Sequence, residues 1–467
     1  MNEDLPIAVI GAGPVGLAAA AHVVSRGLTP LVFERGAGVG ASLRDWAHVR
    51  VFSPWQYNID SAARALLAAA GWDAPEETEL PTGGEIVARY LEPLAALPQI
   101  APHLRLRATV TAITRKGLDK LSNSGRDLAP FEIRWHDAEG NEQASIAGAV
   151  IDASGTWTQP NPMGVDGLPV LGEAAVADHI AYGIPDVLGA ARETYAGKTT
   201  LVVGSGHSAI NAALALVALQ ESEPETRVLW ALRRNRIEKL LGGGLNDQLP
   251  ERGALGLAAK RAIDAGRLQI LAPFAATGLA LAETGVAVMG TLGSTAMTLI
   301  VDRIVVATGF RPDTRILSEL RVELDPATDA PPALSPLIDP NFHSCGTVPP
   351  HGVDELTHPE AGFYIVGAKS YGRAPTFLMA TGYEQVRSVV AELAGDPLAA
   401  RQVHLVLPET GVCSVTPASL GAAGGCCGGP AASADACCVA DEVAKAEGEA
   451  GCGCSPAPVA VRTAEPA

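Results

Sequence analysis

Two short β-branched runs in this chain each lead directly into a glycine loop and then into an alanine-rich segment, and that pairing restricts the fold more than any other feature. Residues 7–10 precede Gly11-Ala12-Gly13-Pro14-Val15-Gly16, a helix over 17–25 follows, Gly27 stops it, and a second strand covers 30–33. Residues 199–203 precede Gly204-Ser205-Gly206-His207-Ser208-Ala209, then a helix over 210–219 and a return strand over 227–232. Each is a strand–helix–strand unit, the element from which parallel sheets are built.

In such a loop the first glycine permits the tight turn, the second lets backbone approach a pyrophosphate, and the third lets helix and strand pack closely. The helix N-terminus then offers unpaired N–H groups to the phosphates. Gly11, Gly13, Pro14 and Gly16 are candidate binding residues on this ground, and Glu34 ends the next strand, where a carboxylate can accept both ribose hydroxyls. The plain alternative is a merely tight turn. The second loop has Ala209 where the third glycine usually stands, which the packing role tolerates, and it lacks the acid. Its return strand ends in Arg233-Arg234, followed by Arg236, and guanidinium groups there suit a 2′-phosphate unless they simply solvate a strand end. The first loop is expected to hold FAD; Gly204, Gly206, Ser208, Arg233 and Arg234 are expected to hold NADPH. His207 is read as a packing residue.

Between the loops, residues 104–114 and 131–136 read as strands of a meander closed by the apolar run 149–153 and then Ser154-Gly155-Thr156. After the second loop, 268–271, 286–289 and 298–300 read as short strands closed by 304–307 and Thr308-Gly309. A strand over 363–366 and a helix over 376–393 return to the first domain. The expected fold is α/β: two Rossmann-like dinucleotide-binding domains, the second inserted in the first, plus a disordered Cys-rich C-terminal tail. The expected boundaries are 1–170 and 311–408 for the FAD domain, 171–310 for the NADPH domain and 409–467 for the tail.

The 467 residues are too many for one core. A formal charge of −17 with no basic cluster argues against nucleic acid and anionic membrane surfaces, and no apolar stretch reaches the roughly 20 residues of a membrane span. The acidic start, Met-Asn-Glu-Asp, carries no export signal, so the expected location is the cytoplasm. Small molecules are the expected partners, and a homodimer is left open.

The order of the first glycine loop, Glu34, Ala153-Ser154-Gly155-Thr156-Trp157, the second glycine loop and Ala307-Thr308-Gly309-Phe310-Arg311-Pro312 resembles the flavin-containing, class B type of monooxygenase, over residues 5 to about 400. Within that group it is most similar to bacterial flavoprotein monooxygenases associated with arsenic resistance. The group's fingerprint is present in part, as Gly172-Glu173 and His179-Ile180-Ala181-Tyr182, with Val170-Leu171 in place of the leading aromatic. The resemblance implies flavin contacts from Arg35, Trp46, Val110, Ser154, Gly155, Gly309, Gly367, Pro375 and Thr376. It places Asn58, in Val51-Phe52-Ser53-Pro54-Trp55-Gln56-Tyr57-Asn58, as the residue holding the reactive flavin adduct; Phe52 and Trp55 read equally well as core. Gly367-Ala368-Lys369-Ser370 stands where many two-dinucleotide flavoproteins have Gly-Asp against the ribityl chain. The acid is absent, and Lys369 could instead be a surface charge.

Cysteine is confined to Cys345 in the body and seven residues near the end. An internal redox pair beside the flavin is therefore missing from the body. Cys426-Cys427, Cys437-Cys438 and Cys452-Gly453-Cys454 place soft donors together, as thiophilic metals and metalloids require, without zinc-finger spacing. The leading expectation is an NADPH-dependent FAD monooxygenase that uses molecular oxygen and a flavin hydroperoxide to oxygenate a soft nucleophile, trivalent arsenic or an organosulfur compound, with the tail as a capture arm. The rivals are a flavin reductase passing electrons to tail disulfides or a thiol-bound metal, and a metalloid-sequestering protein.

Overall fold

The computed structural model describes residues 5–234, 250–342, 348–374 and 378–405, with backbone only over 250–253. β1 (Ile7–Ile10) and β2 (Pro30–Phe33) pair in parallel from Ile7 opposite Pro30, and the helix Pro14–Ser25 between them covers one face. All of β1 is buried, as expected of a parallel strand covered on both faces. β3 (Leu104–Arg105) extends this sheet beside β2.

Here the structure departs from the sequence reading. Residues 104–114 are not one strand: Arg107 adopts a positive φ of 52°, and the chain then leaves the parallel sheet. β4 (Thr109–Arg115), β5 (Phe131–His136) and β6 (Glu142–Ala147) form a separate antiparallel meander. β7 (Ala149–Asp152) does not close that meander. It joins the parallel sheet on the other side of β1, with Ala149 opposite Ile7. Its run of buried residues lacks the alternation of a half-exposed meander strand, which is the physical reason for the assignment.

The second sheet repeats the plan. β8 (Ile180–Tyr182) forms its edge, and β9 (Thr199–Val203) and β10 (Arg227–Ala231) flank the helix His207–Leu219. β11 (Gln269–Leu271) pairs with β10; β12 (Phe274–Leu281), β13 (Val286–Leu292) and β14 (Thr295–Val301) form a second antiparallel meander. β15 (Arg303–Val306) lies between β9 and β8, and β16 (Phe363–Ile365) returns to the first sheet beside β7. The two sheet orders are thus β16-β7-β1-β2-β3 and β11-β10-β9-β15-β8. The second unit is inserted in the first, as the sequence implied.

Two chain segments cross between these sheets, and they are zipped together. Asn161 N donates to Gly309 O at 2.9 Å, Arg311 N donates to Gln159 O at 2.9 Å, and Pro160 and Phe310 form an antiparallel bridge. Arg311 Nε adds a 2.8 Å hydrogen bond to Asn161 Oδ1, and the Trp157 and Phe310 rings stack at 4.5 Å. The Ala-Thr-Gly-Phe-Arg-Pro segment therefore works here as a crossover clamp. Glu173 and Tyr182, the fingerprint residues, brace the same region: the Glu173 carboxylate accepts from Met163 N, Val170 N and Tyr182 Oη.

His358 is buried, with Nδ1 donating to Glu323 O and Nε2 without a hydrogen-bond partner among the described residues. Burial pulls its pKa down to about 4, the Glu323 hydrogen bond acting weakly against it. Because the folded value lies below the ordinary 6.5, its contribution to stability is present above pH 6.5 and is lost as pH falls toward 4. Urea midpoints measured across that window should fall, and His358→Gln should shrink the fall.

Candidate dinucleotide-binding sites

Both glycine loops lie at the carboxyl ends of their parallel strands, the edge where open α/β sheets bind ligands. In the first, Gly11 has φ 98°, and a Cβ there would come within 2.8 Å of Ala153 O. A Cβ on Gly16 would come within 1.9 Å of Gly11 O, so side chains are excluded where loop and helix meet. A Cβ on Gly13 would meet nothing within 4 Å, which leaves open space above the start of the helix. No side chain caps that helix; Gly13 is its N-cap and Pro14 its first residue. Glu34 is buried, with Oε2 accepting from Ala12 N at 2.9 Å and Oε1 from Gly36 N at 2.7 Å. Each carboxylate oxygen retains a lone pair for a ribose hydroxyl.

The second loop reproduces this geometry. Gly204 has φ 135°, a Cβ there would lie 2.3 Å from Ala307 O, and Gly206 again faces open space. The helix His207–Leu219 has Gly206 as its N-cap, with no side-chain cap. Trp230 Nε1 donates to Gly204 O at 2.7 Å and fixes the turn from beneath. Ser208 sits in the first turn, while Arg233 and Arg234 are exposed just past the end of β10. Each loop thus presses its first glycine on the carbonyl just past a neighbouring strand, Ala153 after β7 in one case and Ala307 after β15 in the other. Both cradles fit a pyrophosphate.

Three residues sequence reading did not join meet beside the first loop. Lys369 is 2% exposed, so the surface-charge alternative is corrected: its Nζ donates to Asp152 Oδ2 at 2.7 Å and to Ser154 Oγ at 3.0 Å. Asp152, fully buried at the end of β7, was missed; a carboxylate ending an apolar strand was the available signal. Gly367, at φ 68°, lies against Val15 of the first helix, and its N–H donates to Gln385 Oε1 at 2.7 Å. Gln385 Nε2 in turn reaches Ser370 Oγ and the His351 ring, each at 2.9 Å, a link with no local sequence signature. Gly155 and Gly309 both take positive φ in the turns after β7 and β15.

Asn58 requires a correction. It is 1% exposed, its Nδ2 donates to Ser53 O and Pro54 O, and its Oδ1 accepts from Ser53 Oγ. Both amide protons are spent inside the 53–58 turn, so the side chain braces that turn and offers no free proton to a flavin adduct. Trp55 is core, whereas Phe52 reaches the second loop, its ring 5.2 Å from that of His207. Trp46 packs over Gly83, where a Cβ would come within 2.7 Å of its ring. Arg35 is exposed; Val110 lies in β4, two residues past Ala108, whose N–H donates to Glu34 O. Pro375, Thr376, Arg236, Cys345 and the tail residues Cys426, Cys427, Cys437, Cys438, Cys452 and Cys454 lie outside the described residues. Among the described residues no group of three or more His, Cys, Asp or Glu could hold a metal, and no helix is long and apolar enough to cross a membrane. A pocket of about 290 Å³ opens beside the crossover, lined by Asp45, Trp157, Tyr182 and Phe310 among others; Trp157 Nε1 donates to Asp45 Oδ2 at 2.7 Å.

A family model described as an NAD(P)-binding Rossmann-like domain matches residues 9–72. No curated protein matches the chain. Among solved structures, the chain is similar to bacillithiol disulfide reductase Bdr (YpdA) from Bacillus cereus, at 20% identity and a TM-score of 0.62, over 84% of this chain and 99% of that one. It is also similar to a mutant of the flavin monooxygenase from Stenotrophomonas maltophilia, at 17% identity and a TM-score of 0.51, over 84% and 98%. Kutzneria sp. 744 ornithine N-hydroxylase, in its form with FADred, NADP+ and L-orn, matches at 16% identity and a TM-score of 0.52, over 85% and 98%. At these identities the likeness establishes the fold alone, two Rossmann-like units in one chain.

Proposed function

We propose that the chain is an NADPH-dependent FAD oxidoreductase, with FAD on the loop Gly11–Gly16 and NADPH on the loop beginning at Gly204. The carrying observation is the pair of glycine loops at the carboxyl ends of two parallel sheets, each leading into a helix with no side-chain cap and with open space at its second glycine. The fold relative from Kutzneria sp. 744 holds FADred and NADP+ together, which supports the pairing. Glu34 orients the adenosine ribose of FAD; Arg233 and Arg234 receive the 2′-phosphate of NADPH. When bound, the flavin would accept hydride and activate oxygen, while the chain contributes positioning and exclusion of water. The divisions at 170, 310 and 408, and a cytoplasmic location, belong to the same proposal.

Between oxygenation and disulfide reduction, we favour a monooxygenase acting on a soft nucleophile, trivalent arsenic or an organosulfur compound. The body up to residue 408 holds a single cysteine, Cys345, so it carries no internal dithiol to relay electrons. The second reading, a reductase, is supported by the likeness to a disulfide reductase and would draw on the tail cysteines.

The test is anaerobic reduction by NADPH followed by oxygen, with arsenite, methylated arsenicals, thioethers and disulfides offered in turn. Oxygenated product and matching oxygen uptake are expected, and both should survive deletion of residues 409–467. Disulfide reduction without oxygen uptake, abolished by that deletion, would establish the reductase instead.

A further inference from the structure

The sheet order gives the first site a direction. β2, which ends at Glu34, lies on one side of β1, and β7 and β16 lie on the other. A dinucleotide with its pyrophosphate over Gly13 and one ribose at Glu34 must therefore extend its other half toward the ends of β7 and β16. Ser154 follows β7 there, and Lys369 follows β16.

These residues form a closed triangle with Asp152. Lys369 Nζ donates to Asp152 Oδ2 at 2.7 Å and to Ser154 Oγ at 3.0 Å; Ser154 Oγ donates to Asp152 Oδ1 at 2.6 Å, and Ser154 N donates to the same oxygen at 3.1 Å. Asp152 and Lys369 are buried, whereas Ser154 is exposed. A serine hydroxyl has one proton and two lone pairs. Asp152 takes the proton and Lys369 occupies one lone pair, so what Ser154 presents outward is the remaining lone pair.

We infer that Ser154 is an acceptor-only contact, held in that state by Asp152 and Lys369 as positioning residues, and that it receives a hydroxyl proton from the ribityl chain of the flavin half. This rests on the reading that the first loop holds FAD. A phosphate oxygen is a poor occupant, because two acceptors would face each other with no proton between them. The triangle thus supplies an acceptor where no acid follows Gly367: the serine does the accepting, and the buried ion pair fixes its polarity.

Flavin-stripped full-length protein, titrated with FAD and with ADP, tests the inference. ADP keeps the adenosine and phosphates but lacks the ribityl chain. Ser154→Ala should weaken FAD binding about tenfold, the scale of one hydrogen bond, and leave ADP within about twofold. The double variant D152N/K369M removes both charges together and so leaves no unpaired buried ion. It should weaken FAD severalfold, again sparing ADP. In wild type, one of the monodeoxyribityl analogues of FAD should bind about tenfold worse than FAD, and Ser154→Ala should erase that difference. Unchanged FAD affinity in Ser154→Ala, or equal loss for ADP and FAD, would overturn the assignment. Wild-type protein that binds ADP but not FAD would instead overturn the flavin reading beneath it.

Discussion

Gly204→Ala is expected to leave the chain folded and yellow while cutting NADPH-driven flavin reduction by about a hundredfold. The added Cβ would lie 2.3 Å from Ala307 O, a backbone atom, at a φ of 135° that alanine rarely adopts. The loop must therefore shift by about 1 Å, enough to misplace a bound nicotinamide, and rate losses near a hundredfold follow from displacements of that size. Strain of roughly 1–3 kcal/mol accompanies it. The mirror variant, Gly11→Ala, places a Cβ 2.8 Å from Ala153 O at a φ of 98° and should yield colourless protein. Stopped-flow reduction and flavin content measure the two effects. Loss of flavin from Gly204→Ala with flavin retained by Gly11→Ala would reverse the assignment of the loops.

Glu360→Gln is expected to cost about 3–5 kcal/mol of stability, as loss of the charge from a buried ionic cluster does. Glu360 accepts from Arg115 Nε at 2.7 Å and from Arg126 Nη2 at 2.6 Å, all three side chains being at most 2% exposed. The cluster ties the β4–β6 meander to the segment just before β16, and its loss strands two guanidinium charges. Burial acts against ionisation of Glu360, but the hydrogen bonds from Arg126, Arg321 N and Arg115 outweigh it and hold the carboxyl below its ordinary 4.5. The sign follows: the contribution is present above pH 4.5 and is lost as pH falls through the lowered folded value. Urea unfolding should show the variant flatter than wild type below pH 4.5 as well as weaker at neutrality.

The parts of this molecule that sequence revealed are those set by local backbone rules. β1, β2, β5 and β9 fall where apolar runs bounded by glycine or polar residues put them, and the glycine loops needed only positive φ and the absence of Cβ atoms. The fate of residues 104–114 was hidden because the turn rests on Arg107, a residue with no turn propensity of its own. β7 was read as closing a meander because an apolar run does not say which sheet it joins. β12 was missed, its alanines and glycine carrying little strand signal.

Side-chain partnerships were harder still. The contact between Lys369 and Asp152 spans 217 positions, and that between Glu360 and Arg115 spans 245. Neither residue's type says that the other awaits it. Asn58 shows the converse: its position resembled that of a flavin-facing residue, yet its hydrogen bonds are satisfied within five residues.

The central claim is that one chain carries two independent dinucleotide cradles with different occupants. Calorimetric titration of flavin-loaded full-length protein with NADP+ measures this most directly. One FAD retained per chain, one further saturable site for NADP+ and no release of flavin at saturation is the predicted result. Displacement of FAD by NADP+, or a single dinucleotide per chain under all conditions, would contradict it.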